Sequence, residues 1–378
     1  MLTSPLFLLA QQQSPVFISG QEGYQTYRIP AIIRLSDKTL LAFCEGRKGS
    51  AADFGNIDIV MKRSMDNGRT WSPLQVIVDY GNLQAGNCAP VQDISDPLYP
   101  GGRIFLFYNT GNNHEGEVAK GNGLRECFYI TSTDGGNNWS QPVNITAQVH
   151  RPKQPLLNPA YNFEEDWRTY ANTPGHALQV TTGMYKGRIY VAANHSSGTP
   201  GPGATHYTSH GYFTDDHGKT FKLASSLNIT GSNEATAAML SNDRIMLNAR
   251  NQRGDIKRRI VAISNNGGAT WDTVYFDNQL PDPVCEGSLL NAGYKKGKPV
   301  LAFCNPADTT RRNRLTLRIS YNQGKSWTKE MVIDSDPSPG TSHDYTAYSD
   351  IVYLQHKRIG ILYERNNYRE IVFAIKKF

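Results

Sequence analysis

Short apolar runs that end on a polar or charged residue recur along the chain, at residues 40–45, 104–109, 189–194, 245–250, 300–305 and 359–364. Each is mostly aliphatic, β-branched or aromatic. Turn-forming stretches precede them, such as Asp37-Lys38-Thr39, Gly101-Gly102-Arg103 and Asn242-Asp243-Arg244. Runs of this length and composition, bounded by turn residues, are strands. Five of the six are followed by a second pattern. It reads Ser64-Met65-Asp66-Asn67-Gly68-Arg69-Thr70-Trp71, then Ser132-Thr133-Asp134-Gly135-Gly136-Asn137-Asn138-Trp139, then Thr214-Asp215-Asp216-His217-Gly218-Lys219-Thr220-Phe221. Two more copies are Ser264-Asn265-Asn266-Gly267-Gly268-Ala269-Thr270-Trp271 and Ser320-Tyr321-Asn322-Gln323-Gly324-Lys325-Ser326-Trp327. Asp or Asn bonds its own backbone two residues on, Gly accepts a positive φ, and the aromatic folds under the turn. A hairpin tip repeated at this spacing marks a propeller or array. Six units of about four short strands predict an all-β, six-bladed β-propeller. After the last unit only one more strand-like run, residues 371–375, remains, and residues 16–18 are expected to pair with it and close the ring.

Composition places these repeats in one domain. A closed array of blades lets 378 residues form a single unit without a larger core. Residues 16–378 are assigned to the propeller, and residues 1–15 to an N-terminal leader or linker remnant. Residues 1–10 carry the apolar stretch Pro5-Leu6-Phe7-Leu8-Leu9-Ala10 without a basic start, which points to a secreted or periplasmic protein. A mean hydropathy of −0.49 and the lack of a long apolar stretch argue against a spanning helix. The best helix signal is the acidic stretch at residues 163–167. The formal charge of +6 favours anionic partners. With no dense Lys/Arg run to accompany it, a small anionic ligand fits better than nucleic acid. Cys44 and Cys304 fall at equivalent places in their strands and read as small buried side chains. The five Cys offer no Cys-x-x-Cys pair, and His206 and His210 read as polar loop residues.

Candidate chemistry sits at the ends of the strands. Tyr27-Arg28-Ile29-Pro30, together with the five repeated turns, resembles the non-viral exo-α-sialidases of bacterial type, from about residue 20 to residue 364. The resemblance implies a three-arginine cluster of Arg28, Arg250 and Arg312 for the substrate carboxylate, with Glu364 steadying Arg28. Arg314 stands where the family has Asn, which leaves Arg314 or Arg311 as alternative third members. Guanidinium groups hold a carboxylate by paired, directed hydrogen bonds that Lys cannot match. Sialic acid carries its carboxylate on the anomeric carbon itself, so a carboxylate nucleophile would face like charge. A tyrosine is neutral until it attacks.

By the same resemblance the nucleophile is Tyr348, in Tyr348-Ser349, with Tyr345 as competitor, and Glu234 is the base beside it. A phenol needs that help, because at a pKa of about 10 it is a poor nucleophile at neutral pH. Asp53 is implied as acid/base on a small-residue loop after the first strand. Burial on ligand binding would raise its pKa, and Asp58 is the bland alternative. Arg47 and Asp93 resemble residues that contact the C4 hydroxyl of the sugar. Trp167, in the long connection of residues 149–174, either covers the leaving-group side or glues the loop to the propeller.

The expectation is therefore a monomeric, retaining exo-α-sialidase with a covalent tyrosyl intermediate and no metal or organic cofactor. It would act on sialylated oligosaccharides, glycoproteins or glycolipids. Transfer to another sugar and intramolecular release of a 2,7-anhydro product use the same residues. A non-catalytic sialoglycan-binding propeller would need the arginines but not Asp53, Glu234 and Tyr348.

Overall fold

The computed structural model describes residues 13–338 and 344–378, and the expected leader lies outside them up to residue 12. All six apolar runs are strands, within Leu40–Arg47, Arg103–Gly111, Ile189–Ser197, Ile245–Asn251, Lys298–Pro306 and Arg358–Arg365. Almost every strand pairing is antiparallel, and the inner strands pack one against the next in a closed ring. Strand Gln13–Ile18 pairs with Glu370–Lys377, so the N-terminal strand completes the C-terminal sheet as expected. Residues 163–167 form no helix, and Trp167 instead opens the strand Trp167–Asn172.

The six-bladed expectation is corrected. Hydrogen bonding among the described residues gives four self-contained blades of four or five strands, not six. The remaining strands run together in one eight-stranded sheet. The cause is local: Ile57 and Gln84 pair in parallel, and Ile57 N–H donates to Leu83 O at 3.2 Å, which stitches strand Ile57–Ser64 to Gln84–Asp93. Counting repeats reveals units of sequence, but this lateral pair has no repeat signature.

The repeated turns carry the packing between sheets. In each, the first Ser/Thr hydroxyl bonds the Asp/Asn carboxyl or amide oxygen and accepts the Gly N–H; for Ser64 these distances are 2.8 and 2.8 Å. Gly is required twice over. Gly68 has φ +84°, and a Cβ there would strike the Phe373 ring of the neighbouring sheet; Gly218 meets Phe105 and Gly268 meets Tyr190 in the same way. Closing aromatics lie against the same neighbours, with Trp71 edge-on to Phe373 at 5.5 Å and Trp271 edge-on to Tyr190 at 6.5 Å. Apolar clusters thus fill the space between adjacent sheets and leave the axis to polar residues. All five Cys, Cys44 and Cys304 among them, are fully buried free thiols.

Candidate active site

A cleft of about 420 Å³ opens at one end of the ring. Its wall is built where inner strands lose register. Bulges fall between Arg28 and Ala31, Gly86 and Ala89, Trp167 and Tyr170, Ser232 and Ala235, and Thr346 and Ser349. An extra residue in one strand re-aims its side chain. Those slips contain Ile29, Asn87, Thr169, Asn233, Glu234 and Tyr348, all lining the cleft. Ile29 has φ 60°, a costly conformation for a β-branched residue. Its backbone N–H is held by Glu364 at 2.9 Å.

At the floor, the Tyr348 hydroxyl donates to Glu234 Oε1 at 2.6 Å and accepts from Arg250 Nη1 at 2.9 Å. Arg250 also bonds Glu234 Oε2 at 2.7 Å. Arg28 and Arg312 bring their guanidinium carbons to 5.5 Å from the Tyr348 ring centre. Burial pushes the Tyr348 phenol well above its usual range, Glu234 adds to the rise, and Arg250 and Arg312 oppose it. The resting phenol is protonated.

Each arginine is anchored on one side and open on another. Arg28 Nε bonds Glu364 Oε1 at 2.7 Å, and its guanidinium lies 3.9 Å from the Tyr368 ring centre. Burial works against the charge on Arg28, and Glu364 and its neighbours more than restore it. Arg312 donates to Tyr368 Oη and to Val284 O, each at 3.3 Å. Arg314 is exposed and Arg311 reaches Asp308 at 3.9 Å; neither lines the cleft. Tyr345 does not line it either.

Arg47 and Asp53 form the lip. Arg47 donates to Glu45 Oε2 at 3.1 and 2.6 Å, to Ala51 O at 2.5 Å and to Asp53 Oδ1 at 2.7 Å. It therefore ties the loop to the strand Leu40–Arg47, while Phe54 rests on His114 at 4.9 Å. The Asp53 side chain is 73% exposed. Desolvation in the cleft pushes its carboxyl up, but Arg47 and Arg28 outweigh this and hold it below the usual carboxylate range. Asp53 is thus an ionised, ion-paired carboxylate. Asp58 is buried between Tyr24 Oη at 2.6 Å and Lys48 Nζ at 2.9 Å, where it braces the sheet.

Asp93 is a correction. It ends the strand Gln84–Asp93 whose other end, at Gln84 and Asn87, lines the cleft. Six residues of extended chain carry it about 20 Å away. There it is fully buried and bonded to Ser95, Gln179 and His217. His210 is corrected too: it is a buried strand residue whose Nδ1 meets His195 Nδ1 at 3.1 Å. Trp167 stacks on His195 at 3.6 Å, so it fastens its loop to the propeller.

Sequence reading missed Glu45, Gln84, Asn87, Glu115, Arg125, Tyr207 and Tyr368, which also line the cleft. Asn87 had a signal, since Gly86-Asn87 suits a bulge, and Asn87 has φ 50°. Glu45 was the polar end of an apolar run. The others gave none.

A family model described as BNR repeat-like domain matches residues 38–361. The sialidase of Micromonospora viridifaciens is 30% identical over 367 residues, covering 92% of this chain but only 51% of that relative. The exo-alpha-sialidase of Aspergillus fumigatus is 29% identical, over 98% of this chain and 88% of its own. Among solved structures, a Hadza microbial sialidase superposes with TM-score 0.78 at 24% identity, over 95% of this chain and 67% of that one. The intramolecular trans-sialidase of Ruminococcus gnavus does so with TM-score 0.71 at 16% identity, over 97% of both chains, which is a likeness of fold. From the family match along most of its length, the chain belongs to the BNR repeat-like family.

Proposed function

We propose that this protein is a retaining exo-α-sialidase that releases terminal sialic acids from glycoconjugates. One observation carries the reading: a buried phenol, Tyr348, bonded at once to a carboxylate, Glu234, and to a guanidinium, Arg250, beneath two further arginines. Arg28, Arg250 and Arg312 clamp the sugar carboxylate, which sets the anomeric carbon above Tyr348 Oη. The phenol attacks that carbon as its proton passes to Glu234, and the bond to the glycosidic oxygen breaks. Asp53 delivers a proton to the departing oxygen. In the second step water attacks the same carbon and yields its proton to Asp53. The Tyr348–carbon bond breaks, and the phenolate recovers its proton from Glu234. Two displacements retain the configuration. A purely binding propeller has no use for a base bonded to a buried phenol.

Proton NMR of α2,3-sialyllactose with the enzyme tests this. Free α-sialic acid forming first and mutarotating later is the expected result. No release sinks the proposal, whereas a 2,7-anhydro product or a sialylated acceptor would replace hydrolysis by intramolecular or intermolecular transfer.

A further inference from the structure

The face of the ring away from the cleft has a chemistry of its own. Inner strands carry their cleft residues near their starts, Arg28, Asn87, Thr169, Glu234 and Tyr348 among them, and run away from the cleft. The turns beyond their far ends, residues 35–39, 94–102, 181–187, 240–244, 295–298 and 354–358, therefore share the opposite face. Six lysines of these turns are exposed: Lys38, Lys186, Lys295, Lys296, Lys298 and Lys357. Asp37 is the one exposed carboxylate in the same turns. Asp96 is buried against Arg103, and Asp243 accepts the Met184 N–H at 2.7 Å. None of the six lysines pairs with a carboxylate among the described residues, whereas Lys48, Lys62 and Lys120 elsewhere do. The repeated turns lie further out on this face. Their carboxylates are engaged, Asp66, Asp134 and Asp216 by donors of their own turns and Asp215 by Arg188.

The same face carries apolar side chains outside the core. Leu98 is 73% exposed and Met184 81%, and Ile94 and Tyr294 are each more than half exposed. Between them, at the axis, opens a hollow of about 360 Å³ lined by Ile33, Leu35, Ile94, Leu290, Ile351 and Tyr353. A single exposed apolar residue needs no explanation, but several around a hollow on one face mark a contact surface. The order of the inner strands sorts the two kinds of residue. Ile94, Leu98 and Met184 lie on one side of the axis, and Lys295, Lys296, Lys298 and Lys357 on the other.

An occupant must therefore be anionic, offer an apolar phase, and be broad enough to reach both halves. A bilayer with anionic headgroups meets all three demands: lysines face the phosphates, and Leu98 and Met184 enter the acyl boundary. A nucleic acid or an acidic polysaccharide would match the lysines and leave the apolar tips in water. We propose that the face opposite the cleft is a docking surface for anionic membranes, on which the protein lies with its cleft directed outward. That orientation leaves the cleft open to glycans in solution or on a facing surface.

Cosedimentation of the full chain with phosphatidylcholine vesicles, with and without phosphatidylglycerol, tests this. The protein should bind the anionic vesicles at low salt and not the neutral ones, and salt should release it. Lys295→Gln, Lys296→Gln and Lys298→Gln together should weaken binding about hundredfold. Leu98→Ser with Met184→Ser, on the other half, should weaken it about tenfold or more. All five side chains are exposed, so melting temperatures should be unchanged. A wild type that does not bind anionic vesicles overturns the proposal. Binding that survives the lysine substitutions also overturns it and moves the contact elsewhere on the chain. Binding lost with the lysines but indifferent to Leu98 and Met184 would replace the membrane by a soluble polyanion. None of these outcomes bears on the sialidase reading, which the NMR experiment decides.

Discussion

The backbone N–H of Tyr348 donates to the Glu364 carboxylate at 3.1 Å, while the other oxygen of that carboxylate takes Arg28 Nε at 2.7 Å. One buried group thus sets the height of the proposed nucleophile and the direction of a carboxylate-binding arginine. It also holds the strained backbone at Ile29. Glu364→Ala leaves Arg28 without its partner, and breaking a buried pair in this way costs about 3–5 kcal/mol. Glu364→Gln keeps the shape and some of the bonding and should cost less. In urea unfolding the Ala variant should fall well below Gln, and Gln should still lose turnover on an aryl sialoside. Equal stability for the two would show that the charge of Glu364 is not what holds Arg28.

Tyr348→Phe removes one oxygen from a packed side chain, so the fold should survive. It deletes the attacking atom and leaves Glu234 and Arg250 paired with each other. Turnover should drop by orders of magnitude with the melting temperature little changed. A fluorinated sialyl donor should label Tyr348 in the wild type. Peptide mapping that finds the label on Tyr345 would reassign the nucleophile, although Tyr345 lies outside the cleft.

Strands and turn repeats were legible because their signals are local. Apolar runs need a buried face, and a turn such as Ser64–Trp71 needs its Gly wherever it occurs. Lateral stitching was not legible, since Ile57 and Gln84 pair through backbone atoms that any sequence offers. Within the site, Arg28, Arg250, Arg312, Glu234 and Tyr348 were found through motifs, and the structure gathers them. Asp93 was misplaced because a motif position cannot tell which end of a strand faces the cleft. Arg125 gave no motif at all and comes to the cleft only through three-dimensional packing.

The repeated turns make a pH-dependent contribution to stability. Asp66 and Asp134 are held at about 2 by backbone N–H and side-chain donors, Thr70 in one case and Asn138 in the other. Their folded values lie below the unfolded carboxylate value, so the stabilisation is fully present above about pH 4 and is lost as pH falls toward 2. Asn266 and Asn322 fill the same place in two other turns and cannot titrate. Melting temperatures of the wild type and the Asp66→Asn, Asp134→Asn double variant, followed from pH 6 down to pH 2.5, should therefore converge as the wild type loses more. Parallel curves would mean that these carboxylates keep the same proton affinity in the unfolded chain.

Asp53 has to change state for the proposed chemistry, and the change is measurable without turnover. At rest it is ionised, bonded to Arg47 at 2.7 Å and 4.0 Å from Arg28 Nη1. A bound sialic-acid analogue brings its own carboxylate to Arg28, which takes away part of the positive field that Asp53 feels. It also covers a side chain that is now 73% exposed. A nearby like charge and desolvation both favour the neutral form of a carboxyl, so the two effects raise its pKa together. Binding an unsaturated, uncleavable analogue near pH 6 should then take up a proton, up to one per site. Calorimetry in buffers of different ionisation enthalpy reads this directly as a slope of observed heat against buffer heat. The slope should vanish in Asp53→Asn while the affinity remains, because the three arginines are untouched. A flat slope in the wild type would mean that Asp53 stays ionised against the bound sugar, and the proton for the leaving group would have to come from elsewhere in the cleft, with Glu115 as the next carboxyl to examine.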